Sequence, residues 1–359
     1  MAEGYGKWRR HGFRKSLQRR SKSGGRVGSV SDMPPPMKAP LRNPPRLLAG
    51  EGRVHLSASN AHPSFSTRLA AYPLKLLSPI PLPSQPSNFA VLYTLAYGGG
   101  LVAGDLVSLS VVLDPGCGLV MLTQGTTKVY KRRPGLRPLS HLHTSPPSSD
   151  PNLTRQRMHI RLSSSSFLLL LPESVSPFRA SIYSQTQRFV LPADRTASVL
   201  ILDWVNSGRG QRPQEVDEEI WSMDSYGSTN EIWVGDERIM RERMVLDNSH
   251  FALNAGGSLS PIANQLSPYN VYATILILGP HFTTLFSYLA YLSDHSRQFQ
   301  LKEPPGLAWS FSEIDGKLQA GVVRIAACEV EDARKWLREV MTAGGVAALV
   351  GEGMWPRCI

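Results

Sequence analysis

Residues 98–105 read GGGLVAGD, and the segment that follows them limits this chain more than any other feature. Asp105 opens DLVSLSVVLD (105–114), where Val107, Leu109, Val111 and Leu113 alternate with Leu106, Ser108, Ser110 and Val112. Period-two alternation marks a strand with one buried face, here the uniformly apolar set. A glycine run that leads into a strand is not a nucleotide loop. A P-loop needs GxxxxGK[ST] opening a helix, and Asp105 stands where the lysine belongs. A dinucleotide fingerprint needs a third glycine where this chain has Ala103, and again a helix. The run is therefore a strand connection. Gly98, Gly99, Gly100 and Gly104 are expected to meet torsions or close approaches closed to a Cβ, and Asp105 to accept backbone hydrogen bonds. PGCG (115–118) is the next turn, and LVMLT and TKVYK read as short strands across Gln124-Gly125.

The β pattern continues along the chain. FAVLYTLAY (89–97), ASIYSQTQRFVL, ASVLILDWV, EIWVGDERIMRERMVLD and NVYATILIL all read as strands. LSHLH and QRMHIRLS suggest a long hairpin around a Ser/Pro-rich excursion at 144–152, and 207–229 reads as a long loop. Only two stretches have helical period. HFTTLFSYLAYLSDHSRQF (281–299) carries a stripe of Phe282, Leu285, Phe286, Leu289 and Leu292, and EVEDARKWLREVM (329–341) opens with acids and aligns Val330, Ala333, Trp336, Leu337 and Val340. A doubly wound α/β domain would need a helix after almost every strand, so that class is excluded. The expected fold is mainly β, with two stacked, mostly antiparallel sheets and a few C-terminal helices.

The net charge of +11 is misleading until it is located. Residues 1–48 hold twelve Lys and Arg against Glu3 and Asp32, which leaves about +1 for the remainder. Residues 1–52 are read as a disordered basic, proline-rich extension and 53–359 as one β domain; organelle targeting by the basic head is the lesser alternative to a cytoplasmic location. The near-neutral remainder argues against nucleic acid as a partner. Apolar runs near 167–171 and 271–279 are too short to span a bilayer, so no membrane partner is expected. Cys117, Cys328 and Cys358 fit neither a disulfide framework nor a CxxC metal site, and Cys358 is expected to be exposed. No GxSxG elbow accompanies Ser163–Ser166, and His159, His250, His281 and His295 show no triad spacing; the expectation is no enzyme.

YPLKLLSP (72–79), GGGLVAGD, PGCG and LTQGTTKVYK (122–131), in that order, resemble the urease accessory protein family UreD, called UreH in some bacteria. The likeness runs on through QTQRFVLPADRTASVLILDWVNSGR (185–209) and, more loosely, through DERIMRERMVLD to GKLQAGVVRIAA, over roughly 60–350. The basic head and the two insertions fall outside the pattern, as in a eukaryotic, fungal-like member. The resemblance implies a non-enzymatic scaffold that binds the urease apoprotein with UreF-like and UreG-like proteins, in a complex with two copies of each chain. It also implies that Ni²⁺ passes transiently through an internal channel, with no tightly bound cofactor.

A relay for a borderline ion needs oxygen or imidazole donors that release it, and Asp105, His141, His143, His159 and Asp203 are the candidates. Thr126, Lys128 and Tyr130 share one side of the TKVYK strand, opposite Thr127, Val129 and Lys131. If Val129 is inward, Lys128 and Tyr130 present a charge and a ring to a partner, with Lys131 beside them. Trp204, Trp221, Trp233 and Trp309 would serve an alternative ligand-binding β module as stacking platforms; a structural complex subunit without metal is the third reading. Both are weaker than the scaffold.

Overall fold

The computed structural model describes residues 46–59, 62–131, 152–210, 219–248, 260–299 and 306–359. The expected extension lies outside them up to residue 45, as do His141, His143, His250 and the 144–151 part of the insertion.

The chain opens with β1 (Glu51–Ser59), β2 (His62–Ala70), β3 (Leu74–Leu77) and β4 (Phe89–Ala96). Around the glycine run come β5 (Gly100–Leu101), β6 (Leu106–Leu113), β7 (Gly118–Thr123) and β8 (Thr127–Val129). The middle holds β9 (Thr154–Leu162), β10 (Phe167–Leu171), β11 (Val175–Pro177), β12 (Ile182–Leu191), β13 (Ser198–Asn206) and β14 (Gly208–Gly210). Then follow β15 (Glu219–Ile220), β16 (Ser225–Val234), β17 (Glu237–Asp247), α1 (Pro261–Leu266), β18 (Val271–Leu278) and α2 (Thr283–Phe299). The chain ends with β19 (Leu307–Asp315), β20 (Ala320–Ala327), α3 (Val330–Ala343) and α4 (Val346–Val350).

A seven-stranded sheet has the order β17-β16-β12-β9-β6-β1-β2, and a larger one has β19-β20-β18-β13-β10-β7-β4-β3, with β5, β8 and β11 forming a side branch. The mainly-β, two-sheet expectation with C-terminal helices holds. The mostly antiparallel pairing does not: β1–β6–β9–β12–β16 and β4–β7–β10–β13 are joined in parallel. The cause is topological. From β6 to β13 the main strands alternate between the sheets, β6 to β7, β9 to β10, β12 to β13, so each return to a sheet runs in the same direction. Antiparallel pairs are confined to the flanks, such as β16–β17, β13–β18 and β19–β20. The expected hairpin through QRMHIRLS also fails, because β9 has parallel neighbours on both sides. Within 207–229, read as a loop, β14 pairs with β15 and β16 begins at Ser225.

The inner faces of the two sheets meet in one core that includes Val107, Leu109, Val111 and Leu113, as the alternation in β6 requires. The larger sheet turns its other face to a second core shared with the helices. Phe282, Leu285 and Leu289 of the first helical stripe are at most 1% exposed there, so that stripe serves the protein's own sheet. Helix α3 adds Ala333, Leu337 and Val340, and Arg334 clamps Glu173 through two 2.8 Å hydrogen bonds. Cys358 is buried in the same layer, a correction to its expected exposure: its thiol lies 3.5 Å from the Met354 carbonyl, and burial pushes its pKa up to about 12. The short α1 escaped the sequence reading, although Ser260 caps it from outside and Pro261 opens it.

Candidate functional site

The glycine run and the TKVYK strand come together. Gly100 pairs with Lys128 and Leu101 with Val129, while Ser176 and Pro177 of β11 flank β8 on its other side. Gly98, Gly99 and Gly104 have φ of +80°, +74° and +84°, a region that side chains avoid. Gly100 is there for another reason: its backbone is extended, but a Cβ would meet the Lys128 carbonyl oxygen at 2.6 Å. Asp105 is buried and accepts the Val102 N–H at 2.8 Å, the anchoring role its position suggested. Thr154 completes the turn, accepting the Gly104 N–H at 3.2 Å and donating to the Val102 carbonyl at 3.1 Å.

This braced turn supports an open cleft of about 450 Å³ lined by Thr126, Lys128, Tyr130, Ser176, Phe178, Asn206, Gly208 and Arg209. Val129 is fully buried, so Lys128 and Tyr130 point outward as expected, with Lys128 exposed. Tyr130 meets Phe178 edge-on at 5.6 Å, and its hydroxyl reaches the Gly98 carbonyl at 3.4 Å. The Arg209 guanidinium lies 4.4 Å above the Phe178 ring. The cleft thus pairs two cations with two edge-packed rings, a combination suited to a partner's carboxylates. Lys131 is exposed and does not line it. Phe178, Asn206 and Arg209 were missed because no local period links them to β8.

Asp203 belongs to a second arrangement, between the sheets. Its carboxylate accepts from Ser228 Oγ at 2.5 Å, Asn230 Nδ2 at 2.6 Å and Gln185 Nε2 at 3.2 Å. The Tyr183 hydroxyl lies 2.9 Å from Gln185 Oε1 and 3.2 Å from Gln156 Oε1, and its ring stacks on Tyr226 at 5.6 Å. Burial pushes the Asp203 carboxyl up against the pull of its three donors. The same burial, reinforced by Asp203, raises Tyr183 and Tyr226. Gln187 Oε1 and Asn230 Oδ1 are buried here without a hydrogen-bond donor. From Gln156 the layer reaches a small, partly open cavity of about 50 Å³ that Thr123, Thr127 and Leu101 also line. At the other side Glu242 holds Arg324 at 2.7 Å, joining the two sheets. A signal for this layer was present: β12 and β16 place Tyr183, Gln185, Gln187, Tyr226, Ser228 and Asn230 at core-facing positions.

The remaining candidates stand apart. His159 lies on the outer face of the seven-stranded sheet, its pKa lowered by burial and by Arg161 and Arg188, surroundings that repel a cation. Among the described residues no group of three or more His, Cys, Asp or Glu side chains is placed to hold a metal ion. Trp204 and Trp221 are core residues whose ring N–H groups donate to the Pro172 and Tyr269 carbonyls, so neither is a stacking platform. Trp309 packs against Trp336 at 5.2 Å.

Comparison with known proteins matches this chain to a family. The chain is 95% identical over 323 residues to Urease accessory protein 4 of Cryptococcus neoformans var. grubii, covering 90% of this chain and 99% of that one. It is 29% identical over 307 residues to an uncharacterized ureD-like urease accessory protein of Schizosaccharomyces pombe, covering 81% and 93%. With Urease accessory protein D of Oryza sativa subsp. indica it shares 26% over 314 residues, covering 82% and 92%. The UreD urease accessory protein family matches residues 49–358, nearly the whole of the two-sheet unit, and the chain belongs to that family.

Proposed function

We propose that this chain is the scaffold on which urease receives its metal, holding the urease apoprotein with UreF-like and UreG-like proteins while Ni²⁺ crosses its interior. Family membership makes it a non-catalytic accessory protein of urease maturation; the nickel path and the named partners are our reading. The observation that carries the path is the polar layer at Asp203. A mainly apolar two-sheet core has little reason to keep a carboxylate, several amides and two unpaired carbonyl oxygens, since each buried unpaired group costs stability. Weak oxygen donors of this kind suit a divalent cation that must be released again, whereas a closed cage would retain it. The cleft at Lys128 and Arg209 supplies a surface for one of the partners.

The test is complementation of a strain lacking this gene, with urease nickel content and activity as readouts. Wild type is expected to restore both. Asp203→Leu, which removes the charge and the acceptors, is expected to leave the protein bound to its partners while urease nickel falls at least severalfold. Fully metallated urease in the deletion strain defeats the scaffold reading. Normal metallation by soluble Asp203→Leu defeats the path alone.

A further inference from the structure

The seven-stranded sheet buries one face, and no helix among the described residues lies on the other. Along β9, β12, β16 and β17 the strand alternation assigns each outward residue. Strand β9 contributes Arg155, Arg157, His159 and Arg161, and β12 contributes Arg188 opposite His159. Strand β16 contributes Glu231 and Trp233, opposite Arg241 and Arg238, and β17 continues with Arg243. Six exposed arginines, Arg157, Arg161, Arg188, Arg238, Arg241 and Arg243, therefore share the face of these four strands with Glu231 and Asp247, while Arg155 is buried.

Those carboxylates do not neutralise it. Glu231 is shared by Arg238 at 3.4 Å and Arg241 at 3.5 Å. Arg157, Arg161 and Arg188 have no ion pair among the described residues. Arg188 lies 4.3 Å above the Trp233 ring, with Arg238 at 5.7 Å from it, so the indole is in reach of two guanidinium groups from the strands on its two sides. Arg157 and Arg161 are both diagonal to Arg188 across the β9–β12 register, about 7–8 Å apart at the backbone. Like charges crowded on neighbouring strands oppose folding, so this arrangement calls for an opposing surface. Burial lowers the pKa of His159, and Arg161 and Arg188 lower it further.

We infer that the outer face of the seven-stranded sheet is a docking surface for an acidic patch on a folded protein, with Arg157, Arg161, Arg188 and Trp233 at its centre. This deepens the scaffold reading and rests on it. Several features favour a protein over a nucleic acid or a lipid surface. The cations are all arginines gathered around Trp233, and arginine with tryptophan is the composition enriched at protein interfaces. Half-buried Val112 and Val190 and the exposed Val245 lie among them, apolar area that a phosphate backbone would not cover. Beyond residue 48 the chain carries only about +1, so the field is a local patch and not the general basicity of a polyanion binder.

The experiment uses the full chain, with the urease apoprotein and the UreF-like and UreG-like proteins of the same organism as separate probes. Binding is measured at about 50 and 300 mM salt for wild type, Arg157→Glu/Arg161→Glu and the milder Arg157→Gln/Arg161→Gln, neither of which touches the Trp233 stack. For one protein probe, wild type should associate faster at low salt. The Glu variant should bind at least tenfold more weakly with most of the salt dependence gone, and the Gln variant should fall between. Both variants should melt at or above the wild-type temperature, because they relieve repulsion; a merely structural role would lower it. Equal binding of wild type and both variants to every protein probe overturns the inference and leaves the scaffold standing. So does a loss confined to a duplex oligonucleotide or phosphatidylserine vesicles run in parallel. Wild type that binds none of the protein probes removes both readings together.

Discussion

Strand β10 reads FLLLL and is buried at every residue, whereas β12 reads IYSQTQRFVL and buries alternate ones. The first lies in the larger sheet, between the inter-sheet core and the helices; the second lies in the smaller sheet, with one face uncovered by any helix among the described residues. A strand enclosed on both faces must be apolar throughout, and one enclosed on a single face is free to alternate. The difference assigns the work. The larger sheet with its helices is the load-carrying half, and the smaller sheet spends its free face on charge and its inner face on the polar layer around Asp203. The cleft at Lys128 lies where the larger sheet's side branch of β5, β8 and β11 extends beyond that enclosure.

The largest effect should come from the enclosed half. Leu169 is fully buried on the helix-facing side of β10, and Leu169→Ala is expected to cost about 2–5 kcal/mol in urea denaturation. Thr186 is exposed on the outer face of β12, and Thr186→Ala should stay within about 0.5 kcal/mol. Similar losses at the two sites would break the contrast between the sheets.

Asp203 tests the layer between them. Asp203→Ala strands the Ser228 and Asn230 donors and should cost about 1–3 kcal/mol. The pH dependence has a definite sign. A carboxyl whose folded pKa is raised contributes stability that is present below the unfolded value, about 3.9, and is lost as pH rises through the folded value. Asp203→Asn cannot titrate, so the stability of wild type relative to this variant should fall as pH rises above about 4. A relative stability that rises over that interval would mean the carboxylate is favoured inside.

Much of this contrast was legible in the sequence, and what was missed has physical causes. Alternation in β6 identified the buried set residue by residue, and the two long helices followed from their stripes. Pairing direction was not legible, because it depends on strands in one sheet being separated by a strand in the other, and local periodicity carries no such information. The surroundings of His159 were legible too. In QRMHIRL, Arg157 and Arg161 stand two residues either side of it and must share its face, which makes a cation site there unfavourable. Cys358 was misjudged from its nearness to the chain end, although hydrophobic neighbours decide burial and Met354, Trp355 and Ile359 supply them.

Two glycines distinguish torsion from space at the edge of the cleft. A Cβ on Gly99 would meet nothing within 4 Å, so Gly99→Val is resisted by the +74° torsion alone, at about 1–2 kcal/mol, with lower soluble yield. Gly100→Ala has no such torsion but must push the Lys128 carbonyl away, so it should disturb the cleft and partner capture as well as stability. If Gly100→Ala captures partners normally while Gly99→Val does not, the close approach to β8 has no part in the site.

The smallest effect on stability should be at Lys128, and it separates a partner surface from a solvated strand. Its side chain is exposed, and neighbouring Val129, not Lys128, enters the core. Removing an exposed side chain with no structural partner changes stability by less than about 0.5 kcal/mol. Binding follows a different accounting, because a cation on the rim of a cleft contributes when a carboxylate is brought to it. Tyr130 is less clean, since its ring packs on Phe178 and its hydroxyl reaches Gly98. Lys128→Ala is therefore the sharper probe, with Lys128→Arg as the charge-preserving control. Pull-down of urease apoprotein and of the UreF-like protein should weaken severalfold for one of them with alanine and recover with arginine, while the denaturation midpoint stays fixed. Unchanged capture by both partners would reduce β8 to an ordinary exposed strand and leave the arginine face of the other sheet as the docking surface to pursue.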